Sequence, residues 1–425
     1  MTLNGHPDSY YAASANSAAE HPQLLGDELA DVCIVGAGFT GLSAALELSE
    51  RGYDVCVIEA ERVGWGASGR NGGQICSAYN RGQDAIAGMV GGDAANVFWE
   101  VSEQAKELIS ERVEKYKIDC DLTWGYLHCA SKPSHLPGLE ETRNAWEAAG
   151  VAGLEMFDRE ALRDRLGTSV YHGALRETGA GHLHPLNYAL GLSDAAVSNG
   201  ARIYENSPVT RVVAEGEPVV ETARGSVRAK YLILAGNAYL GNLAKPLFHR
   251  IMPVSSFIVA TEPLGENRAR GLIRDNEAVC NSLFIVDYYR LSADNRMLFG
   301  GRANYTGHEP RDLFADMGPR MLKVFPQLGD ARLDYAWGGT LGITINRLPH
   351  VGRLGENTLF AHGYCGHGVA LSGMCGKLMA EAIAGTAERF DVMSRIQHQP
   401  FPGGPVRVPM LALGMMYYRI RDILS

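Results

Sequence analysis

The sequence predicts a mixed α/β protein in which one domain is built on a parallel sheet and a second on an antiparallel sheet, each discontinuous in sequence. Three patterns lead to this prediction. Residues 31–58 read as a strand, a glycine-rich turn, an amphipathic helix and a second strand, which together make one βαβ unit. Residues 252–344 alternate apolar and polar positions, as strands of an antiparallel sheet do. A strand at 358–361 and a helix at 368–383 then return the chain to the first domain.

The composition is that of an ordinary globular protein and excludes several classes of function. Of the 425 residues, 46% are hydrophobic and 20% charged, and no apolar run is long enough to span a bilayer. The net charge of −9, without a basic cluster, argues against nucleic acid as a partner. The eight cysteines contain no C-x-x-C pair, so we expect reduced thiols and a cytoplasmic location. Residues 1–29 lack the features of a secretory signal and are expected to be a partly ordered lead-in.

Helices and strands alternate between the βαβ unit and the antiparallel region. Apolar residues recur at helical spacing in 96–116 and in 185–198, where a proline stands at the expected helix start. Strands are expected at 202–206 and 210–214. The nearly continuous apolar run at 229–235 suits a buried strand of the parallel sheet.

The antiparallel region contains a predicted hairpin. Residues 284–291 are expected to pair with residues 296–301 across a turn at Ala293, Asp294 and Asn295. The predicted division of the chain is a lead-in (1–29), a nucleotide-binding domain (30–90, 175–245 and 345–390), a substrate domain (91–174 and 246–344) and a tail (391–425).

The βαβ unit carries a dinucleotide-binding motif of the Rossmann type. Gly36-Ala37-Gly38-Phe39-Thr40-Gly41 follows the first strand directly and opens the helix, which is the context that gives G-x-G-x-x-G its meaning. The first glycine permits the tight turn, the second lets the backbone approach a pyrophosphate, and the third lets helix and strand pack closely. Glu59 ends the second strand, 23 residues after Gly36, where its carboxylate can accept hydrogen bonds from a ribose diol and would repel a 2′-phosphate. NADP is therefore disfavoured, whereas NAD and FAD both remain possible from this unit alone.

Two further glycine-rich segments resemble one family of flavoenzymes. The segment Gly64-Trp65-Gly66-Ala67-Ser68-Gly69-Arg70-Asn71-Gly72-Gly73-Gln74 resembles the D-amino-acid oxidase superfamily of FAD-dependent oxidoreductases, where it runs beside the pyrophosphate and the flavin ring. Gly363-Tyr364-Cys365-Gly366-His367-Gly368-Val369-Ala370 resembles the carboxy-terminal flavin loop of that family. A closer resemblance is to the bacterial gamma-glutamylputrescine oxidoreductases, and it rests on residues 70–74, 288–291, 337–339 and 346–349.

The resemblance implies that FAD is the cofactor. Amides at the start of the helix after the third segment favour negative charge, and reduced flavin carries such charge. Relatives with covalent flavin use a cysteine near residues 339–353; this stretch has none, so we expect noncovalent FAD. The predicted FAD-binding residues are Gly36, Gly38, Phe39, Thr40, Gly41, Glu59, Ala60, Gly66, Ala67, Ser68, Arg70, Asn71, Gly72, Gly73, Gln74, Val209, Ala235, Gly236, Asn237 (where the family often has threonine), Gly339, Gly363, Gly366, His367, Gly368 and Val369.

The implied reaction is oxidation of the carbon–nitrogen bond of a small amine or amino-acid-like substrate, of the kind used in polyamine catabolism. A hydride passes from the carbon bearing the neutral amine to flavin N5, water hydrolyses the imine, and O2 reoxidises the flavin with release of H2O2. Such a reaction needs neither a metal nor a protein nucleophile, because the cofactor carries the difficult chemistry. His362, Cys365 and His367 lack a fourth ligand at zinc spacing, so no metal site is predicted.

The catalytic candidates are Tyr288, Tyr289, Trp65 and His367. Adjacent strand residues point to opposite faces, so one tyrosine is expected at the site and the other in the core. Trp65 is favoured at the flavin or substrate over a purely anchoring role, and His367 is expected to act through its backbone amide rather than its ring. Asp287, beside the tyrosines, is expected to face solvent.

Two other functions stay open at this point. One is a dehydrogenase that passes electrons to a membrane quinone, for which the apolar tail at 408–424, with its arginines, could serve as an interfacial helix. The other is a flavin-binding protein without turnover.

Overall fold

Two β-sheets and the helices packed on them organise the chain. The computed structural model describes residues 5–17, 20–214, 216–304 and 310–404. The strands of this part are β1 (Gly26–Val35), β2 (Val55–Ile58), β3 (Gln74–Ile75), β4 (Thr123–Cys129), β5 (Leu154–Asp158), β6 (Gly173–His182), β7 (Arg202–Tyr204), β8 (Val209–Val213), β9 (Val219–Thr222), β10 (Gly225–Leu234), β11 (Met252–Thr261), β12 (Ala278–Asn281), β13 (Tyr288–Leu291), β14 (Met297–Asn304), β15 (Leu333–Ile343), β16 (His350–Arg353) and β17 (Thr358–His362).

The α-helices of the same part vary from a single turn to 25 residues. They are α1 (Tyr10–Ala13), α2 (Phe39–Glu50), α3 (Gln83–Val90), α4 (Gly92–Tyr116), α5 (Leu136–Ala148), α6 (Arg159–Arg163), α7 (Pro185–Ser198), α8 (Lys245–Phe248), α9 (Glu266–Leu272), α10 (Leu313–Val324), α11 (Gly368–Ile383) and α12 (Glu388–Met393). Within the described ranges, no helix combines the length and the apolar character needed to cross a membrane.

The first sheet has a parallel centre and provides the dinucleotide-binding geometry. Its strand order is β16-β17-β10-β1-β2-β7, with β8 and β9 attached to the side of β10. Val35 at the end of β1 pairs with Ile58 of β2 and with Leu234 of β10. Three strands therefore end at one level, and the residues that follow them meet at the carboxyl edge of the sheet, where ligands of such sheets bind.

Helices α2 and α11 pack against this sheet, and α7 and α4 pack against α2 and α11 in turn. Apolar residues such as Leu42, Phe98, Leu192 and Met374 belong to the hydrophobic core that these helices share with the sheet. The burial of this large apolar surface is the main stabilising contribution to the domain.

The second sheet is mostly antiparallel and separates a hydrophobic core from the glycine-rich loops. Its strand order is β15-β11-β14-β13-β12-β4-β6-β3, with β5 paired to β6. One face packs against α10, where Tyr289 and Phe299 are buried together with Met317 and Met321. The register places Tyr288, Cys280 and His128 beside one another on the opposite face, because directly paired strand residues point to the same side.

Most of the predicted elements are present with small changes at their ends. Helices 185–198 and 368–383 have the expected limits, and the helix predicted at 96–116 begins earlier, at Gly92. The buried strand predicted at 229–235 extends from Gly225 to Leu234.

The predicted hairpin was wrong in its first arm. Strand β13 starts at Tyr288, because Asn281 closes residues 281–287 into a loop: its backbone N–H donates to the Asp287 carbonyl and its side-chain oxygen accepts from the Asp287 N–H, both at 3.0 Å. The expectation that Asp287 faces solvent was also wrong. It is buried, and Arg320 donates from Nε to its carboxylate at 3.0 Å.

The amino-terminal residues are more ordered than a lead-in. Strand β1 begins at Gly26 rather than near residue 31, and it pairs with β10 along its whole length. Helix α1 is buried among residues of the second sheet, and Tyr11 has no exposed surface. Sequence periodicity could not detect a helix of four residues.

The two sheets do not follow the predicted domain limits strictly. In the second sheet, β6 pairs with both β3 and β4. Residues 74–75 of β3 and 175–182 of β6 nevertheless fall within the predicted FAD domain. The domain limits therefore stay a prediction. Of the predicted tail, residues 391–404 are described, and the apolar stretch 408–424 lies outside the described residues.

Candidate active site

A long cleft opens where β1, β2 and β10 end. It encloses about 1620 Å³ of empty space, including its open mouth. The glycine turn after β1, the segment 65–71, the turn after β10 and the loop before α11 all contribute to its wall. The three glycine-bearing segments, 36–41, 64–74 and 363–370, thus meet at one cleft.

The turn at Gly36 is possible only for glycine. Its φ is +106°, and a Cβ there would lie 3.0 Å from the carbonyl carbon of Ala235. A Cβ on Gly41 would lie 1.9 Å from the carbonyl oxygen of Gly36, so α2 could not pack as closely on β1. The start of α2 has no cap from its own Ncap side chain; the N–H of Phe39 donates instead to Oγ of Ser68, 3.0 Å away.

Two backbone amides hold Glu59 in the wall of the cleft. Its Oε2 accepts from the Ala37 N–H at 2.7 Å, and its Oε1 accepts from the Glu61 N–H at 3.0 Å. Burial raises the pKa of this carboxyl group, whereas the two amide hydrogen bonds act in the opposite direction. The carboxyl group is therefore fixed in orientation, as a ribose-binding acceptor must be.

The second segment is held in shape by Asn71. Its side-chain nitrogen donates to the carbonyls of Ala67 (3.0 Å) and Ser68 (2.9 Å), and its oxygen accepts from the Gly73 N–H (2.7 Å). These bonds fold the segment back on itself at the cleft wall. Next to Asn71, the guanidinium of Arg70 lies over the ring of Trp65, 4.3 Å from its centroid.

The third segment is connected to the other two. Oδ1 of Asn237 accepts from the Gly363 N–H at 3.0 Å, which gives a role to the residue found where the family often has threonine. The hydroxyl of Tyr364 lies 2.7 Å from Oγ1 of Thr40 in the first segment. Burial lowers the pKa of His367 to about 4, so its ring is neutral at physiological pH. The N–H of His367 donates to the Tyr364 carbonyl at 3.0 Å.

Most of the predicted FAD-binding residues line the cleft, and the rest are not part of its wall. Those that line the cleft are Gly36, Gly38, Phe39, Thr40, Glu59, Ala60, Gly66, Ala67, Ser68, Asn71, Val209, Ala235, Gly236, Asn237, Gly366, Gly368 and Val369, together with the catalytic candidate Trp65. Those outside its wall are Gly41, Arg70, Gly72, Gly73, Gln74, Gly339, Gly363 and His367, together with Tyr288 and Tyr289.

Tyr288 and Tyr289 point to opposite faces of the second sheet. Tyr289 belongs to the core, where its ring stacks on Phe299 with centroids 5.5 Å apart. Tyr288 faces the second glycine-rich segment, and a Cβ on Gly72 would come within 2.6 Å of its ring. Burial raises the pKa of Tyr288 to about 12, and its hydroxyl lies 3.3 Å from Oγ of Ser256. Of the two tyrosines, Tyr288 is therefore the one that faces the second glycine-rich segment.

A buried charged group on the same face was missed by sequence reasoning. Glu177 has no exposed surface; Nζ of Lys106 lies 3.1 Å from its Oε1, and Nε2 of His128 lies 3.5 Å from its Oε2. Ser77 also bonds to this carboxylate. Burial raises the pKa of Glu177, but the His128 hydrogen bond and the Lys106 charge outweigh it and hold the pKa below its usual value. The four residues of this group come from four separate segments of the chain, so no local sequence motif predicts it.

Shape and chemistry of the cleft fit an extended dinucleotide. Glu59, Val209, the start of α2 and the start of α11 all contribute to its wall. Helix starts attract phosphate and other negative charge, and a carboxylate suits a ribose diol. The residues at the cleft therefore include groups suited to the ribose and to the phosphates of FAD.

Comparison with known proteins identifies the family. Residues 31–382 match the DAO family, described as FAD dependent oxidoreductase. The chain belongs to this family. It is 46% identical to the gamma-glutamylputrescine oxidoreductase of Escherichia coli (strain K12) over 425 residues, which is 100% of both chains. It is 42% identical to the probable oxidoreductase OrdL of Haemophilus influenzae, covering 98% of this chain and 97% of the other.

The fold is also that of this family. The crystal structure of glycine oxidase from Geobacillus kaustophilus matches with a TM-score of 0.72 and 21% identity, over 84% of this chain and 95% of the other. The predictions of a mixed α/β flavoenzyme fold, of FAD as cofactor and of an oxidoreductase that acts on an amine C–N bond are confirmed.

We predict that Gly41→Ala weakens FAD binding at least about tenfold, which corresponds to about 1.4 kcal/mol, because the added Cβ displaces α2 from the Gly36 turn. Fluorescence titration of the apoprotein with FAD measures this. Gly88→Ala is the matched control: Gly88 is also helical, nothing lies within 4 Å of its Cβ position, and alanine there should leave FAD binding unchanged. Wild-type affinity in Gly41→Ala would contradict the role given to this glycine.

Proposed function

We propose that this FAD-dependent enzyme oxidises gamma-glutamylputrescine, or a closely related polyamine conjugate, at the carbon that bears its primary amine. The observation that carries the proposal is the 46% identity to the E. coli gamma-glutamylputrescine oxidoreductase over the whole of both chains. The residues behind the resemblance also lie near the site: Asn71 lines the cleft and Tyr288 packs against Gly72.

The products follow from the balance of the reaction. The amine carbon loses a hydride and the nitrogen a proton, and water then hydrolyses the imine to an aldehyde and ammonia. We propose O2 as the electron acceptor, so that one O2 and one water are consumed for each H2O2, aldehyde and ammonia formed. FAD supplies the two-electron acceptor for the hydride. The reaction uses only soluble small molecules and fits the cytoplasmic location proposed for a chain whose eight cysteines are free thiols.

The protein supplies binding and orientation for this cofactor. Glu59 would hold the ribose, and the amides at the start of α2 would face the pyrophosphate. The segment that Asn71 folds, together with the loop before α11, would hold the flavin. A noncovalent attachment is supported by Cys365, whose Sγ at the cleft donates to the Gly363 carbonyl at 3.1 Å and whose pKa is raised by burial. It stays a thiol rather than a reactive thiolate.

We place the substrate between the flavin end of the cleft and the face of the second sheet that carries Tyr288. A phenol with a pKa of about 12 keeps its proton and can donate a hydrogen bond or accept one from an amine. The neutral ring of His367 adds no positive charge that would repel an ammonium group. This placement favours Tyr288 over Tyr289 as the substrate-facing residue.

Glu177, Lys106 and His128 are proposed as the polar end of the substrate site. They lie on the face that carries Tyr288, and His128, with 26% of its side chain exposed, forms the side of the group that is open to solvent. A carboxylate beside an ammonium group can bind a substrate that itself carries both charges, as the glutamyl end of the proposed substrate does. Buried charges without such a use are costly, and hydrophobic residues of similar volume often replace them without loss of stability.

We predict that the double variant Glu177→Gln, Lys106→Met raises the KM for gamma-glutamylputrescine at least about tenfold, or about 1.4 kcal/mol of binding, while FAD content stays unchanged. Removing both charges avoids the uncompensated buried carboxylate that Lys106→Met alone would leave. Steady-state peroxide production measures the KM, and the thermal midpoint confirms folding. A folded double variant with an unchanged KM would place substrate recognition elsewhere.

Anaerobic mixing tests the proposed function itself. We predict that gamma-glutamylputrescine bleaches the visible flavin absorbance faster than putrescine, glycine, sarcosine or D-amino acids do, and that air restores the colour with release of H2O2. Bleaching that only a quinone reverses would indicate the dehydrogenase. A yellow protein that no amine bleaches would support a non-catalytic flavoprotein and refute the proposal.

A further inference from the structure

The amino-terminal segment 5–17 lies outside the family match, which begins at residue 31, yet it is built into the protein next to the cofactor site. Helix α1 is capped by Ser9, whose Oγ accepts from the Ala12 N–H at 3.1 Å. Further along, the backbone N–H of Asn16 donates to Oδ1 of Asn187 on α7 at 2.9 Å. The segment is thus fixed at both ends of its helix.

Tyr11 is the residue of this segment that reaches the site. Its side chain is fully buried, and its ring meets Trp337 edge-on with centroids 5.2 Å apart. Its hydroxyl oxygen accepts a hydrogen bond from Nη2 of Arg290 at 3.2 Å. Tyr11 therefore contacts two side chains of the second sheet, one from β15 and one from β13.

Both of those side chains hold the second glycine-rich segment. Nε1 of Trp337 donates to the Arg70 carbonyl at 3.0 Å, and Nε of Arg290 donates to the Gly72 carbonyl at 2.9 Å. The two carbonyls flank Asn71, which lines the cleft and folds the segment. Tyr11 thus contacts both of the side chains that donate to the carbonyls on either side of Asn71.

Arg290 makes this arrangement sensitive to small changes. It is 2% exposed, and its guanidinium also donates to the carbonyls of Leu183 and Leu291, each at 3.0 Å. A buried guanidinium needs acceptors for its N–H groups, since an unmet donor costs more than an exposed hydrogen bond contributes. Loss of the Tyr11 hydroxyl would leave Nη2 one acceptor short, although Nη2 would keep its bond to the Leu183 carbonyl. The guanidinium could then shift as a unit, and its Nε would move away from the Gly72 carbonyl.

We infer that Tyr11 is a positioning residue for FAD: through Arg290 and Trp337 it sets the conformation of residues 70–72 and thereby the affinity and spectrum of the bound flavin. The segment upstream of the family domain is then part of the cofactor site. This inference concerns the cofactor alone, so it stands or falls independently of which amine the enzyme oxidises.

Tyr10 provides a matched control within the same helix. It is buried as Tyr11 is, and its hydroxyl donates to Oδ1 of Asp294 at 2.8 Å, on the turn before β14. Removing that hydroxyl perturbs the docking of α1 to a similar degree without touching the donors to residues 70–72.

The experiment compares the full-length variants Tyr11→Phe, Tyr10→Phe and Arg290→Lys. FAD affinity is measured by titration of the apoprotein, and the flavin environment is measured by visible circular dichroism. We expect Tyr11→Phe to weaken FAD binding roughly three- to tenfold, the effect of one hydrogen bond, and to change the flavin circular dichroism. Arg290→Lys should change both in the same direction, because an ammonium cannot bridge the same carbonyls. Tyr10→Phe should match the wild type in both.

Two results would overturn the inference. One is equal FAD affinity and equal flavin circular dichroism in Tyr11→Phe and Tyr10→Phe. The other is a lower thermal midpoint in Tyr11→Phe with both flavin readouts unchanged, which would make Tyr11 a residue of the core only. Should Arg290→Lys fail to fold, the two tyrosine variants decide the question by themselves.

Discussion

The close approach of two strand ends is the constraint on which the site depends. The Gly36 turn passes so near Ala235 that a Cβ would meet backbone at 3.0 Å, and Gly41 lets α2 lie against that same turn. This packing brings the start of α2 and the carboxylate of Glu59 to one side of the sheet. If the turn were wider, neither the amides nor the carboxylate would be placed for a dinucleotide.

The other two glycine-bearing segments are positioned against this turn by specific side chains. Ser68 accepts from the Phe39 N–H, Tyr364 bonds to Thr40, and Asn237 holds Gly363. The cleft is therefore a network of short-range bonds between segments far apart in sequence. Leu341 and Gly342 of the second sheet line the cleft, and Tyr288 of the same sheet packs against Gly72 of the second segment. The other face of this sheet is an apolar core.

Local signals and the family resemblance predicted the fold and most of the residues that line the cleft. Pro185 at the first turn and regular apolar spacing define α7, and the glycine motif after a buried strand defines the Rossmann-type unit. Alternation along strands predicted that Tyr288 and Tyr289 point to opposite sides of the sheet. The structure shows that Tyr288 points toward the glycine-rich segment and Tyr289 into the core. What local signals could not supply is contact between distant segments.

The features that were missed share that cause. The Glu177 group draws its members from four places, helix α1 is too short for a periodic pattern, and Asn281 shortens β13 by bonding to Asp287. Arg290 and Trp337 were recognised as parts of family motifs, but their common contact with Tyr11 depends on a segment upstream of the family domain. Sequence motifs located residues that line the cleft, and tertiary contacts determine how those residues are held.

The central claim is that three glycine-bearing segments form one FAD site. The most direct measurement is the ratio of FAD to chain in the purified protein, read before and after acid precipitation. A single noncovalent FAD site predicts one FAD for each chain, all of it released into the supernatant. A folded protein that is colourless and does not take up added FAD would contradict it.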